Sequence, residues 1–198
     1  MNVRRWMTPE PLTVAADTDL MAALAEMGKK KVRRLPVVGN GKLVGIITKS
    51  DIYAALGPLD NLNNRLSQGK LNVGAHMTCN PVTIVPDAHV EEAAAEMYRR
   101  RISGLPVLED GRLAGVITET DIFRAFVELL GFTETGAMVE FDLDKPDHLL
   151  ANIRKKTADM IVRNLLAYQD SRTGRIQVRM KLRGREMSPT ARMRIPGR

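Results

Sequence analysis

Two threonine–aspartate pairs are the side chains whose types and spacing best suit ligand binding. Each pair ends a Gly-x-x-Thr-x-x-Asp stretch, with Thr48 and Asp51 in the first half of the chain and Thr118 and Asp121 in the second. An apolar run precedes each threonine and a helical pattern follows it. Helix N-termini favour phosphate through their N–H groups and positive dipole. A threonine hydroxyl can donate to phosphate, and an ionised aspartate can accept both hydroxyls of a ribose.

Both stretches belong to a longer internal repeat with an offset of 70 residues. Residues 7–56 align with residues 77–126 without a gap, and 20 of the 50 pairs are identical. A repeat of this kind is one supersecondary unit that buries its apolar surface against a neighbouring unit. We therefore expect two related units, with the functional site between them.

The first part of each repeat predicts a strand and a helix. In repeat one, residues 12–16 alternate weakly as a strand, and residues 20–27 carry apolar side chains at helical spacing. Asp17 and Asp19 are candidate N-caps for this helix. Met27, like its counterpart Met97, is expected in the core.

A hairpin and a second helix complete each repeat. Residues 35–38 and 43–48 are apolar, and residues 39–41 between them predict a turn because asparagine and glycine accept positive φ. Asp51 is expected to cap a final helix over residues 52–56. Repeat two predicts the same elements 70 residues later.

Each repeat resembles a cystathionine-β-synthase (CBS) domain, and the two together resemble a tandem CBS pair, or Bateman module. The resemblance covers about residues 5–128 and rests on elements that recur in the same order in both copies. In repeat one these are Met7-Thr8 with Pro11, Leu35-Pro36-Val37, Gly41, and Gly45-Ile46-Ile47-Thr48 with Asp51. The resemblance implies an α/β (α+β) fold of two β-α-β-β-α units about a pseudo-two-fold axis, and commonly a disc-shaped homodimer.

The resemblance also implies which residues bind a nucleotide. In the family, the threonine and aspartate positions bind phosphate and ribose, and the residues just before Leu-Pro-Val meet the base and the phosphates. The implied residues are Ile102, Ser103, Gly104, Thr118 and Asp121 in repeat two, and Arg33, Arg34, Thr48 and Asp51 in repeat one.

Two sites are implied, and we favour one of them. A site of Thr118 and Asp121 with Ser103 and Gly104 leaves room for a base, whereas the matching arginines of repeat one would crowd one. The family places its sites in the cleft between the repeats, so a basic residue of one repeat can reach phosphate held by the other. Arg33 and Arg34 are the candidates for that contact.

Simpler explanations are open for the same residues. The two aspartates could serve only as helix N-caps, which contribute about 1 kcal/mol. The two threonines could be β-branched strand ends, and Gly45 and Gly115 could serve only the close approach of backbones. Arg33 and Arg34 follow three lysines, and basic runs of this kind are usually solvated.

The sequence contains no convincing catalytic or metal-binding constellation. His76, His89 and His148 are scattered, and Cys79 lies alone beside an Asn-Pro turn. No Cys/His cluster has metal-ligand spacing, and no Walker-type loop is present. We therefore expect a protein that is not an enzyme and holds no cofactor.

Composition indicates a soluble globular protein of 198 residues with 44% hydrophobic and 27% charged residues. No apolar run approaches the roughly 20 residues of a membrane-spanning helix, and the first residues do not resemble a secretory signal. A single cysteine excludes an internal disulfide, which fits a reducing compartment. We expect a cytoplasmic protein.

The last third of the chain predicts a small α+β segment. Residues 138–143 alternate as a strand, residues 144–158 read as a helix, and residues 160–168 and 176–182 predict two further strands around a turn at 170–174. This β-α-β-β order resembles the start of an ACT domain, as in CBS–CBS–ACT proteins of the acetoin-utilisation (acuB-like) type. Asp147 stands where that family usually has a glycine, and the chain leaves almost no room for a second helix and fourth strand.

Positive charge is concentrated at the end of the chain. Residues 171–198 contain nine Lys or Arg and one acidic residue, so they contribute +8 to the net charge of +7. We expect residues 185–198 to form a basic, disordered tail. An electrostatic contact with nucleic acid is a weaker possibility, because the tail lacks aromatic side chains for base stacking.

The resemblance to a tandem CBS pair implies a regulatory sensor that binds AMP, ADP, ATP or S-adenosylmethionine between the two repeats. The alternatives are a structural dimerisation module with a degenerate cleft, and nucleic-acid contact through the tail. The expected boundaries are residues 1–60 and 75–130 for the repeats, 61–74 for the linker, 137–184 for the ACT-like segment and 185–198 for the tail.

Overall fold

The computed structural model describes residues 1–57, 71–132, 137–143, 161–183 and 192–194. The chain forms two compact units, Met1–Ile122 and Phe123–Arg198. No helix in the described part of the chain is long and apolar enough to cross a membrane.

The first unit contains both repeats. Repeat one consists of a short 3-10 helix (Val3–Arg5), β1 (Thr8–Pro9), α1 (Leu20–Lys29), β2 (Arg34–Gly39), β3 (Lys42–Thr48) and α2 (Lys49–Leu56). Repeat two consists of α3 (Val73–His76), β4 (Thr78–Cys79), α4 (Val90–Arg100), β5 (Gly104–Glu109), β6 (Arg112–Thr118) and α5 (Glu119–Leu129), which continues into the second unit.

A short strand of each repeat pairs with the sheet of the other repeat. β1 pairs antiparallel with β6, with Thr8 opposite Val116, and β4 pairs antiparallel with β3, with Thr78 opposite Ile46. The resulting three-stranded sheets have the orders β1-β6-β5 and β2-β3-β4. The sequence did not predict this exchange, because strands of two residues carry no periodic signal.

Helices and sheets of the repeats share buried cores with matching positions. In repeat one, Leu20 and Met27 of α1 pack with Leu35 and Ile47 of the sheet, and all four are fully buried. Burying one such side chain stabilises the fold by about 1.5–3 kcal/mol. Met97 is 4% exposed, so the core position predicted for both methionines is confirmed.

The local signals for the first helix and the hairpins are confirmed. The Asp19 carboxylate caps α1 by accepting from the backbone N–H groups of Met21 at 2.8 Å and Ala22 at 3.1 Å. Asn40 and Gly41 adopt φ of 50° and 75° at the β2–β3 turn, which requires residues that tolerate the left-handed region.

Two local predictions were wrong. Residues 12–16 form no continuous strand and contribute one isolated bridge, between Val14 and Val37. The helix expected from residue 52 begins at Lys49, and its N-cap is Thr48 rather than Asp51.

The second unit contains a four-stranded sheet. Its strands are β7 (Ala137–Leu143), β8 (Ile161–Gln169), β9 (Ile176–Arg183) and β10 (Arg192–Arg194), in the order β10-β7-β9-β8. The first three confirm the predicted strands to within a residue, and Gly174 with φ of 68° lies in the predicted turn. The helix predicted over residues 144–158 and the link at 133–136 lie outside the described residues.

One face of this sheet holds the core of the second unit, and β10 extends its edge. The core comprises Val139, Phe141, Val178, Met180 and Leu182, at alternate positions of β7 and β9. β10 pairs parallel with β7 within the region expected to be a disordered tail. The expectation that no fourth strand fits is therefore wrong. The rest of the tail lies outside the described residues.

Gly115 of β6 is predicted to be essential for the strand exchange. A Cβ at this position would lie 2.7 Å from Met7 Sδ and 2.9 Å from the Thr8 carbonyl oxygen. We expect Gly115→Ala to destabilise the fold by about 1–3 kcal/mol, because β1 would have to move away from β6. Chemical denaturation measures this change.

Gly28 provides the matched control, since a Cβ there would meet no heavy atom within 4 Å. Gly28→Ala, within α1, should be neutral or stabilise by up to about 1 kcal/mol. Equal unfolding free energies for Gly115→Ala and the wild type would contradict the close approach of β1.

Candidate functional site

The two threonine–aspartate pairs fold into the same hydrogen-bonded arrangement. Asp121 Oδ2 accepts from the backbone N–H of Thr118 at 3.0 Å and from its hydroxyl at 2.7 Å. In repeat one the corresponding distances from Thr48 to Asp51 are 2.8 and 2.7 Å. Both aspartates therefore stabilise a helix N-terminus, although from the first turn of the helix and not as the N-caps that the simpler explanation expected.

The threonine hydroxyl donates to the aspartate in this arrangement. An ionised carboxylate only accepts hydrogen bonds, so the proton between Thr118 and Asp121 comes from the threonine. The contact with phosphate expected of this hydroxyl stays a prediction.

A cavity of about 290 Å³ lies against Thr118 and Asp121. This volume is at the lower end of the roughly 300–1,000 Å³ of small-molecule sites. Repeat two contributes Ser103, Val116, Thr118, Glu119, Thr120 and Asp121 to the lining. Repeat one contributes Thr8, Pro11, Leu12, and residues 31–36. The cavity is therefore built from both repeats within the first unit.

The structure regroups the predicted site residues. Arg33 and Arg34 of repeat one, the candidates for a contact with phosphate held by the other repeat, line the cavity together with Thr118, Asp121 and Ser103 of repeat two. Ile102 and Gly104 are not among its described lining residues. Thr48 and Asp51 end the equivalent strand of repeat one, outside this cavity.

Several lining residues were missed by the sequence analysis. Thr8 reaches the cavity because β1 pairs with β6 beside Val116. Lys31 and Leu12 enter it from loops of repeat one. The recurrence of Met7-Thr8 at Met77-Thr78 was the available signal for β1, but it did not indicate that the strand crosses to the other repeat.

Arg34 makes the most specific contact between the repeats in this cavity. Its Nη2 donates to Ser103 Oγ at 2.7 Å. Its guanidinium Nη1 lies so close to Gly104 that it occupies the space of a side chain there. A residue larger than glycine at position 104 would displace Arg34.

The electrostatic balance of the cavity is set by cations from one repeat and carboxylates from the other. Lys31, Arg33 and Arg34 face Glu119 and Asp121. Burial lowers the pKa of Arg34, and the charge of Arg33 lowers it further, while Glu119 and Asp121 act in the opposite direction. An arginine remains ionised at neutral pH, so its charge is held here with incomplete compensation.

The cysteine and histidine side chains are the remaining groups that could bind a metal ion or react. No group of three or more His, Cys, Asp or Glu side chains that could hold a metal ion occurs among the described residues. Cys79 is exposed on β4. His89 precedes α4, and its backbone N–H donates to the Glu92 carboxylate. His148 lies outside the described residues.

Comparisons with known proteins agree with the fold of the first unit. The family described as CBS domain matches residues 3–58 and 73–128, more than half of the chain. A CBS domain-containing protein of Dictyostelium discoideum is 38% identical over 134 residues, which cover 65% of this chain and 92% of that protein. The chain spans less than half of several other curated relatives.

Solved structures with similar folds include complexes with adenosyl ligands. The CBS domain pair of protein MJ0100, in complex with 5′-methylthioadenosine and S-adenosyl-L-methionine, is 33% identical, with a TM-score of 0.55 over 65% of this chain and 97% of that one. CBSX2 of Arabidopsis thaliana, in complex with AMP, is 30% identical, with a TM-score of 0.56 over 64% and 96%. A putative acetoin utilization protein (AcuB) from Vibrio cholerae is 27% identical, with a TM-score of 0.57 over 68% and 96%.

Removing a capping hydroxyl is predicted to destabilise the ligand-free protein. Thr118→Val keeps a β-branched side chain but loses the hydroxyl that donates to Asp121, so it should cost about 0.5–2 kcal/mol. Thr48→Val should behave alike. Urea denaturation measures both effects, and Thr120→Val, at an exposed neighbour, should change stability by less than about 0.5 kcal/mol. Unchanged stability in both cap variants would contradict the capping role.

Proposed function

Because the chain belongs to the CBS domain family, we propose that it is a regulatory protein that senses an adenine nucleotide or a related adenosyl ligand. AMP, ADP, ATP and S-adenosylmethionine are the candidates. The observation that carries the proposal is the cavity in which Thr118 and Asp121 of repeat two face the basic loop of repeat one. A ligand bound there contacts both repeats.

In the proposed complex, Asp121 binds the ribose. A carboxylate has about four acceptor positions, and Thr118 uses two hydrogen bonds to Oδ2. The capping role and the ribose role are therefore compatible, and the cap fixes the carboxylate before the ligand arrives. Arg33 and Arg34 supply positive charge for a phosphate, which the threonine hydroxyl does not provide.

The proposed regulatory effect follows from the two-repeat lining. A ligand that binds one packing of the repeats better than another shifts the population toward it. α5 begins with the cavity residues Glu119 to Asp121 and continues into the second unit. We place the output in this helix and in a homodimer of the chain, and we assign the protein no catalytic step.

Solved relatives support the choice of ligand class. CBSX2 carries AMP, and the MJ0100 pair carries S-adenosyl-L-methionine and 5′-methylthioadenosine. The three molecules share an adenosyl group, which is the part that a ribose-binding aspartate would recognise. An amino-acid ligand for the second unit, and membership of that unit in the ACT fold, stay predictions from the sequence.

A thermal-shift panel with AMP, ADP, ATP, S-adenosylmethionine and GTP tests the proposal. A ligand at 100 times its dissociation constant stabilises the protein by about 2.7 kcal/mol, which is a shift of roughly 5–10 °C for a chain of this size. We expect such a shift with at least one adenosyl ligand. Asp121→Ala should abolish it because the ribose loses its acceptor.

The matched control is Asp110→Ala, at an exposed turn residue away from the cavity, which should leave the shift unchanged. Absence of a shift with every adenosyl ligand would favour a structural dimerisation module. Salt-sensitive binding to nucleic acid that is lost on deleting residues 185–198 would favour nucleic-acid contact through the tail.

A further inference from the structure

The two repeats differ in charge and size at the two residues that precede Leu-Pro-Val. Arg33 and Arg34 of repeat one stand at the positions of Ser103 and Gly104 in repeat two. Both pairs directly precede Leu-Pro-Val. The internal symmetry of the chain is therefore broken by two cations on one side and two small residues on the other.

Arg34 lies between the two threonine–aspartate pairs. Its backbone stands opposite Thr48 in the β2–β3 register, and Gly104 stands opposite Thr118 in the β5–β6 register. The guanidinium of Arg34 crosses from the first of these positions to the second and packs on Gly104. One side chain thus starts at the strand end of repeat one and ends at the strand end of repeat two.

The resting position of the guanidinium has a physical reason. Ser103 accepts its hydrogen bond at 2.7 Å, and the nearby carboxylates Glu119 and Asp121 attract it. Repeat one has Lys49 at the position of Glu119, so its strand end repels a cation more than that of repeat two does. The side chain is therefore drawn toward repeat two although its backbone belongs to repeat one.

The symmetry partner of Arg34 is Gly104, so repeat two offers no equivalent arginine at this position. We propose that Arg34 is one anion-binding residue shared by both threonine–aspartate pairs, so that the chain binds a first phosphorylated adenosyl ligand tightly and a second one weakly. This inference rests on the proposed function and adds to it the charge of the ligand and the coupling of the two positions.

The coupling depends on ligand charge. The phosphate of the first ligand engages the guanidinium, and a second phosphate at the other strand end finds the shared cation already paired. A neutral adenosyl ligand does not need the shared cation, so it binds the two positions independently. Burial and the charge of Arg33 both disfavour the charge of Arg34. An anion that pairs with Arg34 therefore gains more binding free energy here than at a solvated arginine.

Calorimetric titration of the full chain with AMP and with adenosine tests this inference. We expect the first AMP to bind at least about 10-fold more tightly than the second, and adenosine to show no such difference. A hydrogen bond to a charged group contributes about 1.5–3 kcal/mol, so Arg34→Gln should weaken the first AMP by about 10- to 100-fold and remove the difference between the two. Adenosine should lose much less affinity than AMP does.

Two further variants make the test specific. Arg34→Gly copies the residue of repeat two and has to reproduce the result of Arg34→Gln, with thermal melting as the check that both variants fold. Arg112→Gln makes the same chemical change at an exposed residue outside the cavity and has to behave as the wild type.

The outcomes separate this inference from the proposed function. Two AMP molecules of equal affinity in the wild type, the same difference for adenosine, or a difference that persists in Arg34→Gln would each overturn the shared arginine. The proposed function would survive, since AMP still binds. A wild-type chain that binds neither AMP nor adenosine would overturn both.

Discussion

The hydrogen bonds between Thr118 and Asp121 are the interaction on which the candidate site depends. They join the end of a strand to the first turn of a helix, and they hold a carboxylate at the wall of the cavity before any ligand binds. The same bonds between Thr48 and Asp51 show that the arrangement is a property of the repeat. In the proposed complex Asp121 would serve both the start of the helix and the ligand, so its structural role does not argue against the proposed role in recognition.

The exchange of short strands turns two repeats into one binding unit. Strand β1, at the beginning of repeat one, pairs with the sheet of repeat two and contributes Thr8 to the cavity wall. Gly115 of β6 permits the close approach of the β1 backbone. The side chain of Arg34 crosses in the same direction, from repeat one to Ser103 of repeat two. A ligand between these contacts would touch both repeats, so its binding would depend on how the repeats pack, which is the physical basis of the proposed regulatory role.

Much of the fold could be predicted from local signals, whereas the composition of the site could not. Helix α1, the hairpin at Asn40 and the strands of the second unit follow from apolar periodicity and from residues that tolerate positive φ. The pairing of Thr8 with Val116 joins residues far apart in the chain through a strand too short for any period. The position of Arg34 on Gly104 likewise depends on packing between the repeats. The sequence named this arginine as a candidate to reach the other repeat, but it carried no signal for the contacts with Ser103 and Gly104. β10 was missed because three residues, two of them arginines, do not resemble a strand.

A crystal structure of the chain with AMP tests the central claim most directly. Our account predicts one AMP in the cavity between the repeats, with its ribose hydroxyls bound to Asp121 and its phosphate beside Arg34. AMP bound elsewhere, or bound in this cavity without contact to Asp121, would contradict the claim that the strand end of repeat two and the basic loop of repeat one form a nucleotide site.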